Sequence, residues 1–303
     1  MPEPAPRGIL LVDKPGGMTS HDVVSRARRA LGTRKIGHAG TLDPMATGLL
    51  VLGVGAATRL LTYIVGLDKT YEATIRLGVT TDSDDADGVE TTRSTPAAVE
   101  AIADDALARG IASLSGEIDQ VPSRVSAIKV GGRRAYDLAR AGEEVELAAR
   151  RVTVSRFEVR DRRAVDLGEG DRAIDLDVVV DCTSGTYIRA LARDLGAGLG
   201  VGGHLTALRR TRVGPFDVAD ALSELAPGIP LLSDAAVAAS VLGTFDVTAD
   251  EARDLRHGKR LVGAASRLSG RSPAAIDPDG RLIGIVERRG DDVKSLMNMA
   301  ENA

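Results

Sequence analysis

Strands interleaved with helices predict an α/β or α+β protein. Three observations carry this. Short apolar runs end in turn residues, as in Gly8-Ile9-Leu10-Leu11-Val12 before Asp13-Lys14-Pro15-Gly16-Gly17. Other segments alternate polar and apolar residues, as in Lys69–Leu77. A third group places apolar residues at helical spacing, as in Val23, Val24, Ala27 and Leu31. Runs of the first two kinds read as buried and half-buried strands, and the third as amphipathic helix.

Taken in order, 8–12 is a buried strand. Thr19 or Ser20 caps the helix that follows, and Gly32 ends it. Residues 34–48 hold three glycines and a proline and read as a loop. Leu49–Val54 is a buried strand, 58–65 a short helix, and 69–77 a half-buried strand. The acidic stretch 82–90 is a turn-rich loop. Ala and Leu in quantity predict a helix over 96–114. Residues 119–151 are polar and glycine-bearing, and read as an excursion from the sheet. Strands follow at 151–160 and 174–182, then a helix over 186–199 with Ile188, Leu191, Ala192 and Leu195 on one face. Composition shifts near 225–243, where Pro and Ala rise. Beyond 244 the pattern predicts a small mixed domain: a helix near 249–257 and strands near 260–268 and 282–288.

The chain has 303 residues, 43% hydrophobic and 27% charged, which suits about two folded domains. Its longest apolar stretch, Gly48–Ala57, is half of what a bilayer crossing requires. No apolar leader follows the N-terminal MPEPAPRG. A lone cysteine, Cys182, makes neither an internal disulfide nor a zinc cluster. A cytoplasmic protein with no membrane partner is expected. The net charge is −4, yet basic residues concentrate at 23–42 and 189–212, and acid at 82–90. Such polarisation suits an anionic partner, or two solvated helix faces. Aromatics are 2%, which excludes a surface built of stacking platforms.

Most chemical motifs fail. Gly53 and Gly55 lack the third glycine of a dinucleotide fingerprint, since Thr58 stands there. The acidic block places Asp87 where a calcium loop needs glycine. His21, His38, His204 and His257 are scattered, so no metal site is legible. Ser184-Gly185-Thr186 lacks the G-x-S-x-G elbow of a hydrolase. Asp43 remains, beside Pro44 and five residues after His38. A carboxylate held in such a loop is a nucleophile, an Asx-turn or a helix cap.

Read as longer words, these loops resemble one family. Gly37-His38-Ala39-Gly40-Thr41-Leu42-Asp43-Pro44-Met45-Ala46-Thr47-Gly48 resembles the G-H-x-G-T-L-D-P-x-A-x-G motif of the TruB family, the bacterial tRNA pseudouridine-55 synthases. Asp13-Lys14-Pro15 through Thr19-Ser20 resembles its opening D-K-P-x-G-x-T-S. Lys69-Thr70-Tyr71 resembles its K-x-Y, 81–88 its acidic T-D-x-x-D-x-x-G turn, Gly185–Arg189 its G-T-Y-I-R, and Leu208-Arg209-Arg210 its L-R-R. The motifs span about 8–216 in the family's order.

The resemblance implies an α+β pseudouridine synthase fold, with a mixed, mainly antiparallel central sheet flanked by helices. It implies a catalytic domain over 1–225, with an inserted RNA-binding thumb at about 119–151, and a PUA-like domain over 244–303. It implies an isomerase that detaches uracil from its ribose in the tRNA T loop and rejoins it through C5, chemistry that needs no cofactor and no metal. No feature of the sequence suggests a guide RNA, and a monomer is expected, since two single-chain domains can enclose one T arm. Asp43 would be the nucleophile, Tyr71 would pack on the base and move protons, and Arg189 would pair with Asp43. Leu208, His38 and Tyr187 would contact substrate. Arg124, Lys129, Arg133 and Arg134 would bind phosphates, and Lys14, Pro15 and Gly40 would brace the loop. The Arg-rich helix over 23–31 is a second candidate for backbone contacts.

Overall fold

The computed structural model describes residues 6–123, 129–130, 133–134 and 147–299. It divides into two compact units, one built from 1–43, 48–66 and 213–303, the other from 44–47 and 67–212.

In the first unit, β1 (Gly8–Lys14) pairs antiparallel with β3 (Thr47–Val54), Gly8 opposite Val54 and Lys14 opposite Gly48. Both strands are continuous apolar runs, so both faces are buried, and Ile9, Leu49, Leu50 and Leu52 are fully enclosed. Between them lies α1 (Ser20–Ala30). Thr19 caps it, and Asp22 returns the bond to the Thr19 backbone, a capping box that satisfies two otherwise orphaned N–H groups. Val23, Val24 and Ala27 form its buried stripe. The segment expected to be all loop holds a short strand, β2 (Ile36–His38), on the other edge of β3. A 3-10 turn (Gly55–Leu60) runs into α2 (Leu61–Ile64).

The second unit is an antiparallel sheet with helices. Its β4 (Lys69–Leu77) has the predicted bounds. A hairpin of β5 (Val79–Thr81) and β6 (Glu90–Arg93) follows. The helix expected over 96–114 is two, α3 (Pro96–Glu100) and α4 (Asp104–Ser113). Pro96 at the first turn of α3 starts it, and Asp104 and Asp105 favour a fresh start by lying at the N-terminal end of α4. Then come β7 (Gly116–Gln120), the two-residue ladder of β8 (Lys129–Val130) and β9 (Arg133–Arg134), the long hairpin of β10 (Arg150–Gly168) and β11 (Asp171–Cys182), α5 (Ile188–Gly198) and β12 (Gly203–Val213). The strand order is β12-β4-β11-β10-β7. Gln120 stands opposite Arg150, so the chain leaves and re-enters the sheet at paired positions.

The first unit resumes with β13 (Phe216–Asp217), then α6 (Asp234–Leu242) in the Ala-rich stretch. A four-stranded sheet follows, β14 (Thr244–Asp246), β15 (Ala274–Ile276), β16 (Leu282–Arg289) and β17 (Asp292–Asn298), in that order. The pair β14–β15 is parallel and the rest antiparallel. Between β14 and β15 lies α7 (Ala249–Arg256), with a second capping box, Thr248–Glu251. Phe245, Leu255, Ile283 and Val293 are its core. The strand expected near 260–268 does not form. Leu261 makes one bridge to Val293, and Ala264–Arg267 is a 3-10 turn entered through Gly263 at φ +69°. Among the described residues no helix is long and apolar enough to cross a membrane.

Candidate active site

In the first unit the loop bearing Asp43 is held by its neighbours. Ser20, the first residue of α1, accepts from the Leu42 N–H at 2.9 Å and donates to the Leu42 carbonyl at 3.1 Å. Both polar groups of the residue before Asp43 are thereby fixed by one buried hydroxyl. Ala39 N–H donates to the Val51 carbonyl at 2.9 Å. Gly40 turns the chain at φ +90°, a conformation that L side chains rarely adopt. Asp43 itself is half-buried.

Lys14, in the same unit, is the last residue of β1. Lys14 is completely buried, and its ammonium donates to the carbonyls of Pro15 (3.0 Å) and Met18 (2.7 Å). A buried ammonium needs such acceptors, and here they close the Asp13–Thr19 turn on itself. His38 ends β2, and its ring meets the exposed His21 ring edge to face, 5.8 Å between centroids.

In the second unit Tyr71 lies on β4, 8% exposed, opposite Val180 of β11. Lys69, two residues earlier on the same face of the strand, is buried and donates to the Leu67 carbonyl at 2.6 Å. Burial, then the nearby Arg210 charge, pulls its ammonium down to about 8. Burial likewise pushes the Cys182 thiol up to about 11.

Arg189 is 4% exposed, in the first turn of α5. It donates to the Asp85 carboxylate at 3.0 Å and to the Ser83 carbonyl at 2.9 Å. The other Asp85 oxygen accepts from the Ser83 hydroxyl (2.6 Å) and the Asp87 N–H (3.1 Å). The acidic stretch, a turn-rich loop by sequence, is in part a buried scaffold. Asp84 adopts φ +61°, faces Arg193 at 3.3 Å, and is pushed upward in pKa chiefly by burial. Gly88 is required there, since a Cβ would stand 2.2 Å from the Ser83 hydroxyl. The basic residues of 189–212 are not all a solvated face: Arg189 and Arg210 are buried.

Tyr187 precedes α5, and Gln120 clamps its backbone by accepting from its N–H (2.8 Å) and donating to its carbonyl (3.0 Å). Arg193 donates to the Val121 carbonyl at 2.7 Å. On the returning side, Thr153 and Thr183 exchange backbone and hydroxyl bonds. Both ends of the excursion are thus tied to the 183–193 turn and helix. Arg124 lies outside the described residues, and Lys129, Arg133 and Arg134 sit on the β8–β9 ladder. Leu208 is 7% exposed and lines a cavity of about 730 Å³ with Met45, Thr47, Glu72 and Arg209.

Comparison with known proteins decides the family. The model of the N-terminal domain of TruB family pseudouridylate synthases matches residues 28–188, a tRNA pseudouridylate synthase B C-terminal domain model matches 189–227, and a C-terminal model of tRNA pseudouridine synthase II matches 243–300. The chain belongs to the TruB family. It is similar to tRNA pseudouridine synthase B of Leifsonia xyli subsp. xyli, 57% identical over 295 residues and covering 96% of each chain. It is 55% identical to that of Mycobacterium sp. (strain KMS) over 296 residues, 96% of this chain and 95% of the other. Among solved structures it resembles a chain of an H/ACA ribonucleoprotein bound to a substrate RNA containing 2′-deoxyuridine, TM-score 0.66 at 22% identity, covering 97% of this chain and 86% of that one. It also resembles a chain of an archaeal box H/ACA Nop10–Cbf5 complex, TM-score 0.64 at 22% identity, covering 98% and 85%. These establish the α+β pseudouridine synthase fold.

Three residues of this TruB chain escaped the sequence reading of the site: Ser20, Asp85 and Gln120. Ser20 and Asp85 stand inside quoted motifs, and that was their only signal. Gln120 carries none.

Proposed function

We propose that the chain is a tRNA pseudouridine synthase acting at position 55 of the T loop, with Asp43 as nucleophile on a flipped-out uridine. Family membership supports isomerisation of uridine in tRNA. The observation that carries the finer reading is the double anchoring of Leu42 by Ser20, which presents the adjacent carboxylate from a rigid turn. Pre-organised geometry of that kind is what a nucleophile needs.

The reaction breaks the bond between N1 and C1′, turns the uracil, and joins C5 to C1′. A proton leaves C5 and one is gained at N1, so the atoms balance without redox. Asp43 begins the sequence by attacking C1′ or C6. The target base must leave the stack, at a cost of a few kcal/mol. Tyr71 packs on the base and takes part in proton transfer, and Leu208 walls the pocket. Arg189, held by Asp85, pairs with Asp43 and keeps that carboxylate ionised. His38 and Tyr187 contact the RNA, and Lys14, Pro15 and Gly40 keep the loop in shape. The segment 119–151, with Arg124, Lys129, Arg133 and Arg134, is the thumb that closes on T-arm phosphates. Residues 1–225 are the catalytic domain and 244–303 a PUA-like RNA-binding domain. The enzyme works as a cytoplasmic monomer without guide RNA.

The test is pseudouridine formation in an unmodified T-arm hairpin, read by digestion and nucleoside chromatography because the product has the substrate's mass. Wild type converts one T-loop uridine, and Asp43→Asn loses at least about 10³-fold in rate while still binding the hairpin. Conversion by Asp43→Asn at the wild-type rate would refute the nucleophile assignment.

A further inference from the structure

The first turn of α1 is fixed from two sides by bonds already described. The Thr19–Asp22 capping box sets where the helix begins, and Ser20 ties that beginning to Leu42. The capping exchange is firm: the Asp22 carboxylate accepts from the Thr19 hydroxyl at 2.7 Å and the Thr19 N–H at 2.9 Å, which holds it below the ordinary carboxylate range. His21 lies inside this clamped turn, and its side chain is exposed. An exposed imidazole gains nothing from the core. What it does have is a ring contact, edge to face with His38 at 5.8 Å and 81° between planes. Such pairs prefer this geometry because the positive ring edge meets the negative face.

His38 closes a short strand of three residues and is half-buried. The His21 ring is one of the neighbours that bear on its orientation. A helix start pinned by a capping box is about as rigid a support as a surface offers, and His21 extends from it to the ring of His38. The same turn holds the Asp43 loop through Ser20, so one element sets both the carboxylate loop and the imidazole.

We propose that His21 is a positioning residue that fixes the ring of His38 for contact with the RNA substrate. This rests on the reading of His38 as an RNA-contacting residue. The contact needs an aromatic edge rather than a proton or a charge. His21 therefore acts through shape, and a phenyl ring at the same position does the same work.

The experiment is a double-mutant cycle on the full chain with an unmodified T-arm hairpin, measuring Kd by filter binding and kcat at saturating RNA. His21→Ala raises Kd about three- to tenfold, the range expected for losing one aromatic pair, and leaves kcat unchanged. His21→Phe stays within about twofold of wild type. His38→Ala weakens binding, and adding His21→Ala to it brings no further loss. Three results overturn the proposal: an unchanged Kd for His21→Ala, a His21→Phe as weak as the alanine variant, or a His21→Ala loss that persists in full on the His38→Ala background, which would mean that His21 touches RNA itself. If His38→Ala alone leaves Kd unchanged, the reading of His38 falls first and the proposal with it.

Discussion

Two turns of this protein carry aspartates, and they are built in opposite ways. The turn before β3 presents Asp43, and what holds it includes the Ser20 hydroxyl, the Leu42 and Ala39 backbone and a glycine at positive φ. The turn between β5 and β6 is shaped by its own carboxylates. Asp82 accepts from the Val89 N–H, and Asp85 binds Ser83, Asp87 and Arg189. In the second turn acid is scaffold, spent on holding a buried arginine. In the first, the residue beside the acid, Leu42, is held by a neutral hydroxyl. Aspartate count therefore says little about chemistry. What distinguishes the two is which groups do the holding.

The sharpest way to break this comparison is Asp85→Ala. It takes a carboxylate away from the Arg189 guanidinium in a site 4% exposed, and removing one partner of a buried pair costs about 3–5 kcal/mol. Urea denaturation reads that loss. A cost below 1 kcal/mol would show that the pair is not the scaffold of the turn. Gly88→Ala probes the same turn by sterics, since the added methyl collides with Ser83, and a loss of about 1–3 kcal/mol is expected in the same assay. Ser20→Ala tests the neutral hydroxyl. It leaves the buried Leu42 N–H without its acceptor, which costs about 1–2 kcal/mol, and the loosened loop lowers turnover more than it weakens RNA binding.

The smallest effect belongs to Asp84, next to Asp85. Burial raises its pKa in the fold, so the folded state binds more protons than the unfolded state above the ordinary value of 3.8. The native state is then favoured in acid and loses that advantage as pH rises through the folded pKa. Asp84→Asn, which also suits φ +61°, removes this component. Urea titrations from pH 4 to pH 7 should show the variant gaining on wild type as pH rises. A gain in the other direction would make Asp84 a second holding carboxylate like Asp85.

Much of the local structure was legible in the residues. The apolar runs gave β1 and β3, the alternation at 69–77 gave β4 to the residue, and the Thr19-Ser20 pair marked the start of α1, with the structure choosing Thr19 as its cap. These are properties of a dozen neighbouring residues or fewer, and local pattern is enough for them. β12 was missed because GHLTALRRTRV mixes charge into a central strand, and its burial comes from partners distant in sequence. The strand expected near 260–268 failed for the converse reason. Its apolar residues are satisfied by one bridge and a 3-10 turn, with no neighbouring strand in register.

The chain's motifs determined, without any coordinates, the family and the residues on which the chemistry is expected to rest. Only the tertiary structure decided how those residues are held. It placed Arg189 against Asp85 across 104 positions of sequence, tied Gln120 to Tyr187 across 67, and gave Leu42 its hydroxyl from Ser20. The reason is physical. A side chain's chemistry is written in its own identity, while its burial, its partners and hence its rigidity depend on which distant segments the fold brings beside it.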